Sequence, residues 1–173
     1  MKHNAIKYLL ALVMVLTSAM VIAAGNGPEK AHNPHPRPIM GTLNGEVTFP
    51  LNEECTDVTG AWWQTTTAAV GEMDHLGLTE HYSTHCATLD GMSVVGGEAS
   101  FVAANGDELW TTYTGQVLAG PPVIVVLAEY IVTGGTGRFE GASGSIMAMV
   151  YVTFAGMEVP NPVEMDFAGT IAY

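Results

Sequence analysis

From position 39 to position 173 the chain is punctuated at short, regular intervals. Apolar or alternating segments of about ten residues are separated by clusters of turn-forming residues, the pattern of an antiparallel sandwich or barrel. Eight strands are predicted, over 39–49, 58–69, 72–86, 93–103, 108–118, 123–133, 143–154 and 163–173. In the first, Leu43, Val47 and Phe49 share one face and Thr42, Asn44, Glu46 and Thr48 the other, the period of a strand with one wet side. The breaks carry recognisable chemistry. Ala104-Asn105-Gly106-Asp107 contains the Asn-Gly pair favoured in tight hairpins. Gly120-Pro121-Pro122 and Pro160-Asn161-Pro162 stop the strands before them by removing backbone donors. No window beyond the N-terminal segment joins a cap, a 3.6-residue period and good helix formers, so at most one short turn is expected, around 137–141.

The chain of 173 residues suits one domain. Its start reads as a leader over 1–24: Lys2 and Lys7, an apolar run from Tyr8 to Ile22, then Ala23 and Ala24. That run is shorter than the roughly 20 residues that span a bilayer, and no cysteine stands at the cleavage point to carry a lipid. Residues 25–38, with Pro28, Pro34, Pro36 and Pro38, read as a flexible arm, leaving 39–173 for the barrel. Losing the leader removes two of five basic residues and none of seventeen acidic ones, which takes the net charge from −12 to −14. Such a chain is repelled by nucleic acid and by anionic membranes, and a secreted or periplasmic location follows. In an exported chain the two cysteines, Cys55 and Cys86, are expected to pair.

Two predicted strands are apolar on both faces, Val123-Ile124-Val125-Val126-Leu127-Ala128 and Ile146-Met147-Ala148-Met149-Val150-Tyr151-Val152. An outward apolar face needs a cover, and another copy of the chain would supply it, so a homo-oligomer is expected. Between these strands lies Thr-Gly-Gly-Thr-Gly-Arg-Phe-Glu-Gly-Ala-Ser-Gly, positions 133–144. Its glycines allow a tight connection across a barrel end with Phe139 as a plug. A phosphate-cradling loop is the other reading, but no Lys-Ser/Thr and no amphipathic helix follow.

This segment resembles the Gly-Gly-Thr-Gly-x-Phe-x-x-Ala-x-Gly pattern of the dirigent and allene oxide cyclase barrel superfamily, matched here by Gly134, Gly135, Thr136, Gly137, Phe139, Ala142 and Gly144. Asp74-His75-Leu76-Gly77 and the pair Ala103-Ala104-Asn105-Gly106-Asp107 and Thr112-Tyr113-Thr114-Gly115 are similar to segments of bacterial secreted relatives, in the same order, over 41–173. The resemblance implies an eight-stranded antiparallel β-barrel with a cavity open at one end, a trimeric state, and either steering of phenol coupling or cyclisation of an epoxide. The cysteine and first-strand carboxylate of the cyclases do not align with Cys55, Cys86 or Glu46, so no catalytic residue is carried over.

Side chains suited to a small apolar ligand are Trp110, Tyr113, Met147, Met149 and Tyr151, which pair apolar bodies with soft or polar handles. Parity along the fifth strand sets Leu109, Thr111 and Tyr113 on one face and Trp110 on the other, without saying which is inside. His75, His81 and His85 share a face, yet neighbours four apart in a strand lie about 13 Å from one another, too far for one metal ion. A solvated strand face is the expectation for them, and no metal or cofactor is implied. Glu46, Glu98 and Glu129 read as surface carboxylates, and no Gly-x-Ser-x-Gly elbow is present. Three roles stay open: a binding or scaffold barrel without catalysis, a cavity isomerase or cyclase, and a small outer-membrane barrel suggested by the alternating C-terminus ending in Tyr173.

Overall fold

The structure, a computed structural model, describes residues 35–173. The expected leader and most of the proline-rich arm lie outside them. Eight antiparallel strands form a closed barrel in sequence order, β1 (Arg37–Thr48), β2 (Gln64–Met73), β3 (Gly77–Ala87), β4 (Ser93–Val102), β5 (Glu108–Ala119), β6 (Val123–Gly135), β7 (Ser143–Thr153) and β8 (Asn161–Ala172). Closure comes from β1 pairing with β8, in a register that sets Leu43 opposite Met165. Every strand thus has two neighbours, and no edge is left to template aggregation.

Several boundaries differ from the sequence pattern. Arg37 and Pro38, expected in the flexible arm, open β1 opposite Ile171 and Thr170, and Asn161 and Pro162, expected in a turn, open β8. Residues 58 and 59 do not begin a strand; they end a helix, α1 (Glu54–Thr59). Thr56, Val58 and Thr59 carry the β-branched signal of a strand. Tertiary anchoring overrides it, because Cys55 is buried and bonded to Cys86 on β3. Gly60 ends the helix in the left-handed region, its N–H donating to the Thr56 carbonyl at 2.9 Å. The segment expected as one long strand from 72 is also divided: β2 runs on to Met73, and a turn at Asp74, His75 and Leu76 leads into β3. Asp74 accepts from the Met40 amide at 3.2 Å, and His75 sits at φ 67° with Nε2 2.9 Å from the Pro38 carbonyl oxygen.

The barrel interior has two unlike halves. At the end where β1 begins, Ile39, Leu43, Leu76, Phe101, Leu109, Phe139, Ile146, Phe167 and Ile171 fill the lumen, each at most 3% exposed. Each such side chain contributes about 1.5–3 kcal/mol by leaving water. The 133–144 segment caps this end. It makes one turn of 3-10 helix (Gly137–Phe139) and drives Phe139 into the lumen, edge-on to Tyr173 at 4.9 Å. Gly137 stands at φ 56° against the Asp107 carboxylate, where a Cβ would collide with it. Asp107 in turn accepts from the Arg138 amide at 3.4 Å and lies 3.6 Å from the Arg138 guanidinium.

The other end, where β1 finishes, is walled by smaller residues. There the ladder shifts register between Thr84 and Cys86, Val94 and Gly97, and Val117 and Ala119. Such bulges re-aim side chains at a barrel rim, and the consecutive residues Ser93 and Val94 both reach the lumen. The outer surface is mixed. Glu46, Glu98 and Glu129 are exposed, as the strand parity implied. Next to a polar sector on β1 and β8, an apolar stripe on β6 and β7 pairs Val125 with Tyr151 and Leu127 with Met149.

Candidate functional site

The open half of the barrel encloses a cavity of about 270 Å³. Its wall alternates with the pleat: Val47 and Phe49 from β1 and its exit, Trp63, Thr65 and Thr67 from β2 and its approach, Ser83 and His85 from β3, Tyr113 and Val117 from β5, Ile124, Val126, Ala128 and Tyr130 from β6, Val150 and Val152 from β7, Val163 and Met165 from β8. No aspartate, glutamate, lysine or arginine is among the lining residues. An engineered apolar cavity of about 150 Å³ accepts benzene, so this volume suits a molecule of one or two rings.

Polar character is concentrated in one corner. The Tyr113 hydroxyl lies 2.8 Å from His85 Nδ1, and the two rings meet edge to face at 5.6 Å. Tyr113 also stacks on Tyr130, with ring centroids 4.5 Å apart and planes within 13°. Burial pulls the His85 pKa down to about 4 and pushes that of Tyr113 up, so at neutral pH the histidine is uncharged and the phenol protonated. The pair then holds two exchangeable protons, one on each partner, and spends one on their shared hydrogen bond. Whichever way that bond points, one donor and one acceptor are left over. Among the described residues His85 Nε2 has no hydrogen-bond partner, and the half-buried ring lines the cavity.

Gly97 makes this corner possible. It pairs with Tyr113 across β4 and β5, and a Cβ there would lie 2.6 Å from the phenol ring. The bare backbone is the shelf on which Tyr113 rests.

The residues singled out in the sequence fall on different faces of the barrel. Tyr113 lines the cavity, which settles that Leu109, Thr111 and Tyr113 face inward. Trp110 projects outward and is 43% exposed. Met147, Met149 and Tyr151 also point away from the lumen, because Ile146, Ala148, Val150 and Val152 take the inner positions of β7. With both faces of that strand apolar, the pattern could not reveal its phase. The histidines are corrected more sharply: His81 and His85 do not lie on a solvated face but inside the barrel, while His75 is exposed in the β2–β3 turn. Thr79 and Ser83 share their parity and are buried with them, so the polar types along this face gave the sequence no sign of its burial.

His81 lies just beneath the cavity floor, wholly buried among Phe101 at 4.6 Å, Phe167 at 5.8 Å and Tyr130 at 6.2 Å. Neither ring nitrogen has a hydrogen-bonding partner. Loss of solvation drives its pKa to about 3; the Ser100 backbone pulls the other way without reaching hydrogen-bond geometry. The ring is held neutral, as a polar member of an aromatic cluster.

The closed, eight-stranded antiparallel meander with a cavity at one end is a recognised architecture. The barrel is similar to that of a dirigent protein. The solved structure is that of the pterocarpan synthase dirigent protein GePTS1, which matches over 80% of this chain and 87% of its own length, at 14% identity and a TM-score of 0.47. No family model matches the chain, and no curated protein matches it either. The Cys55–Cys86 disulfide, which ties α1 to β3 beside the cavity, is consistent with an extracytoplasmic protein.

Proposed function

We propose that this chain is an exported barrel that binds a small, neutral, largely apolar molecule carrying one carbonyl or hydroxyl group, without chemistry of its own. The observation that carries the reading is the uncharged cavity wall, largely apolar on β6 to β8 and carrying its hydrogen-bonding groups on β2 to β5, where Thr65, Thr67, Ser83 and Ser93 stand with the bonded pair His85 and Tyr113. A ligand charge in that wall would meet no counter-charge and would lose its hydration. A carbonyl or hydroxyl would find the spare donor or acceptor. Apolar walls with a few convergent polar groups are the general form of small-molecule sites.

Methyl naphthyl ketone, isopropylnaphthalene and naphthoate test this reading by fluorescence titration, with Trp63 in the wall as reporter. The expected order is ketone tightest, hydrocarbon weaker, carboxylate unbound. Equal binding of ketone and carboxylate, or binding of neither neutral compound, would overturn it.

A second reading, a cavity isomerase or cyclase, is favoured by the same corner, since neutral His85 beside a protonated Tyr113 is an acid–base pair within reach of a bound molecule. The cavity wall offers no carboxylate to assist it. Turnover of an epoxide ligand that is lost in His85→Gln would favour this reading over simple binding. A membrane-spanning barrel carries the opposite polarity, with an apolar exterior and a polar lumen; here Glu46, Glu98, Glu129 and Glu164 are outside and the lumen is apolar. The apolar stripe of Val125, Leu127, Met149 and Tyr151 supports self-association of the exported chain, with a trimer the state to look for by sedimentation equilibrium.

A further inference from the structure

The outer face of β2 to β5 carries an arrangement that the cavity does not use. Strand pairing sets Ala68, Tyr82, Ser100 and Trp110 in one row across four strands, and Thr66, Thr84, Glu98 and Thr112 in the next. Tyr82 is 50% exposed and Trp110 43%. Two strand spacings, roughly 10 Å, separate their backbones. The small Ser100 between them leaves a shallow groove of about 440 Å³.

Both rings are tethered. The Tyr82 hydroxyl donates to Glu80 Oε2 at 2.9 Å, and Trp110 Nε1 donates to Glu108 Oε2 at 2.7 Å. Each ring thereby spends its polar atom on a glutamate two residues back and offers apolar surface to a ligand. Between the rings stands the hydroxyl of Ser100, and in the row beside them the hydroxyls of Thr84 and Thr112 and the carboxylate of Glu98, none with a side-chain hydrogen bond to another described residue. No lysine or arginine lines the groove; of the described cations, Arg37 lies over Tyr173 and Arg138 beside Asp107.

We infer that this groove binds a neutral carbohydrate, spanning about two sugar units of an uncharged glycan. Pyranose rings present C–H faces that stack on aromatic surfaces and a girdle of hydroxyl groups that pair with threonine, serine and carboxylate oxygens. Two tethered aromatic platforms with free oxygens between and beside them match both halves of that ligand. An anionic glycan would meet Glu80, Glu98 and Glu108 together. A purely apolar partner, or a second copy of the chain, would bury those free oxygens unpaired. The groove is separate from the cavity, on the opposite side of the same strands.

The test is calorimetric titration of the exported chain with neutral oligosaccharides of glucose, mannose and xylose, and with an oligogalacturonide as the anionic control. At least one neutral series is expected to bind in a one-to-one ratio and the oligogalacturonide not at all. Trp110→Ala is expected to weaken that binding about tenfold or more, the scale on which truncating an aromatic anchor is felt, with ketone binding in the cavity unchanged. Ser100→Lys fills the groove floor while keeping both rings, and is expected to abolish binding, which covers the case of a poorly folded Trp110 variant. The inference is overturned if no neutral series binds, if only the anionic control binds, if Trp110→Ala or Ser100→Lys binds as the parent does, or if Trp110→Ala instead lowers the sedimentation mass.

Discussion

The two halves of the lumen are built from the same eight strands yet obey different rules. In the closed half, phenylalanine, isoleucine and leucine from β1, β4, β5, β7 and β8, with Leu76 and Phe139 from the connections, fill the axis. In the open half valine, alanine, threonine and serine share the inner positions with rings such as Trp63, His85 and Tyr113, and the lumen that remains is the cavity. Strand β3 crosses both and places one histidine in each: His81 packed among aromatic rings without a partner, His85 on the cavity wall bonded to Tyr113. The difference teaches that tight packing and open volume are segregated along one axis. The cavity can be left underfilled because the opposite end is closely packed.

The largest effect expected from breaking this contrast is in the closed half. Phe101→Ala, at a wholly buried site in contact with His81, Tyr130 and Phe167, should cost about 3–5 kcal/mol in urea unfolding. A loss below 1 kcal/mol would show that the closed half is not the packed one. Next comes the clasp at the open rim. Cys55→Ala with Cys86→Ala should cost about 2–4 kcal/mol, and reducing the parent should cost the same.

A subtler contrast enlarges one side chain in each half. Ile146→Phe is expected to overpack the closed half at a cost of about 1–3 kcal/mol. Val150→Phe projects into empty space, so it should change stability by less than about 1 kcal/mol while occluding the ketone. Equal costs for the two would erase the distinction.

The smallest effect is a dependence on pH that distinguishes the histidines. His81 falls from an ordinary 6.5 to about 3 on folding, so below pH 6.5 the unfolded chain binds a proton that the folded chain refuses. Its stabilising contribution is whole above pH 6.5 and is lost as the pH falls from there towards 3, by up to about 1.4 kcal/mol per pH unit. His81→Phe keeps a ring, removes the two unpartnered nitrogens and should take away about half of the slope between pH 6.5 and 4, the rest belonging to His85, which burial holds at about 4, with little loss at neutral pH. A slope unchanged in this variant would assign the acid sensitivity elsewhere.

Much of the barrel was legible in the sequence because turn chemistry and alternation are local. The hairpin at Asn105-Gly106, the stop at Pro121-Pro122 and the inward parity of Leu43 and Val47 needed no tertiary knowledge. Helix α1 was hidden because six residues rich in β-branched types are helical only through Gly60 and the Cys55–Cys86 bond. The cavity was half visible. Tyr113 could be proposed from its type, but its partner His85 looked like one of several ionisable groups on a wet strand. Only closure of the sheet turns that face inward, and closure is a long-range property set by β1 meeting β8. The phase of β7 was unreadable for a related reason: with Met147, Ala148, Met149 and Val150 in succession, polarity marks neither face.

The measurement that bears most directly on the division of the lumen is a map of amide chemical-shift changes in the isotope-labelled exported chain as methyl naphthyl ketone is added. Changes are expected at Ser83, His85, Tyr113, Val126 and Val150, saturating together at one equivalent, with Phe139, Ile146 and Ile171 unmoved. Shifts centred on the closed half, or none at the His85 corner, would contradict the assignment of recognition to the open end.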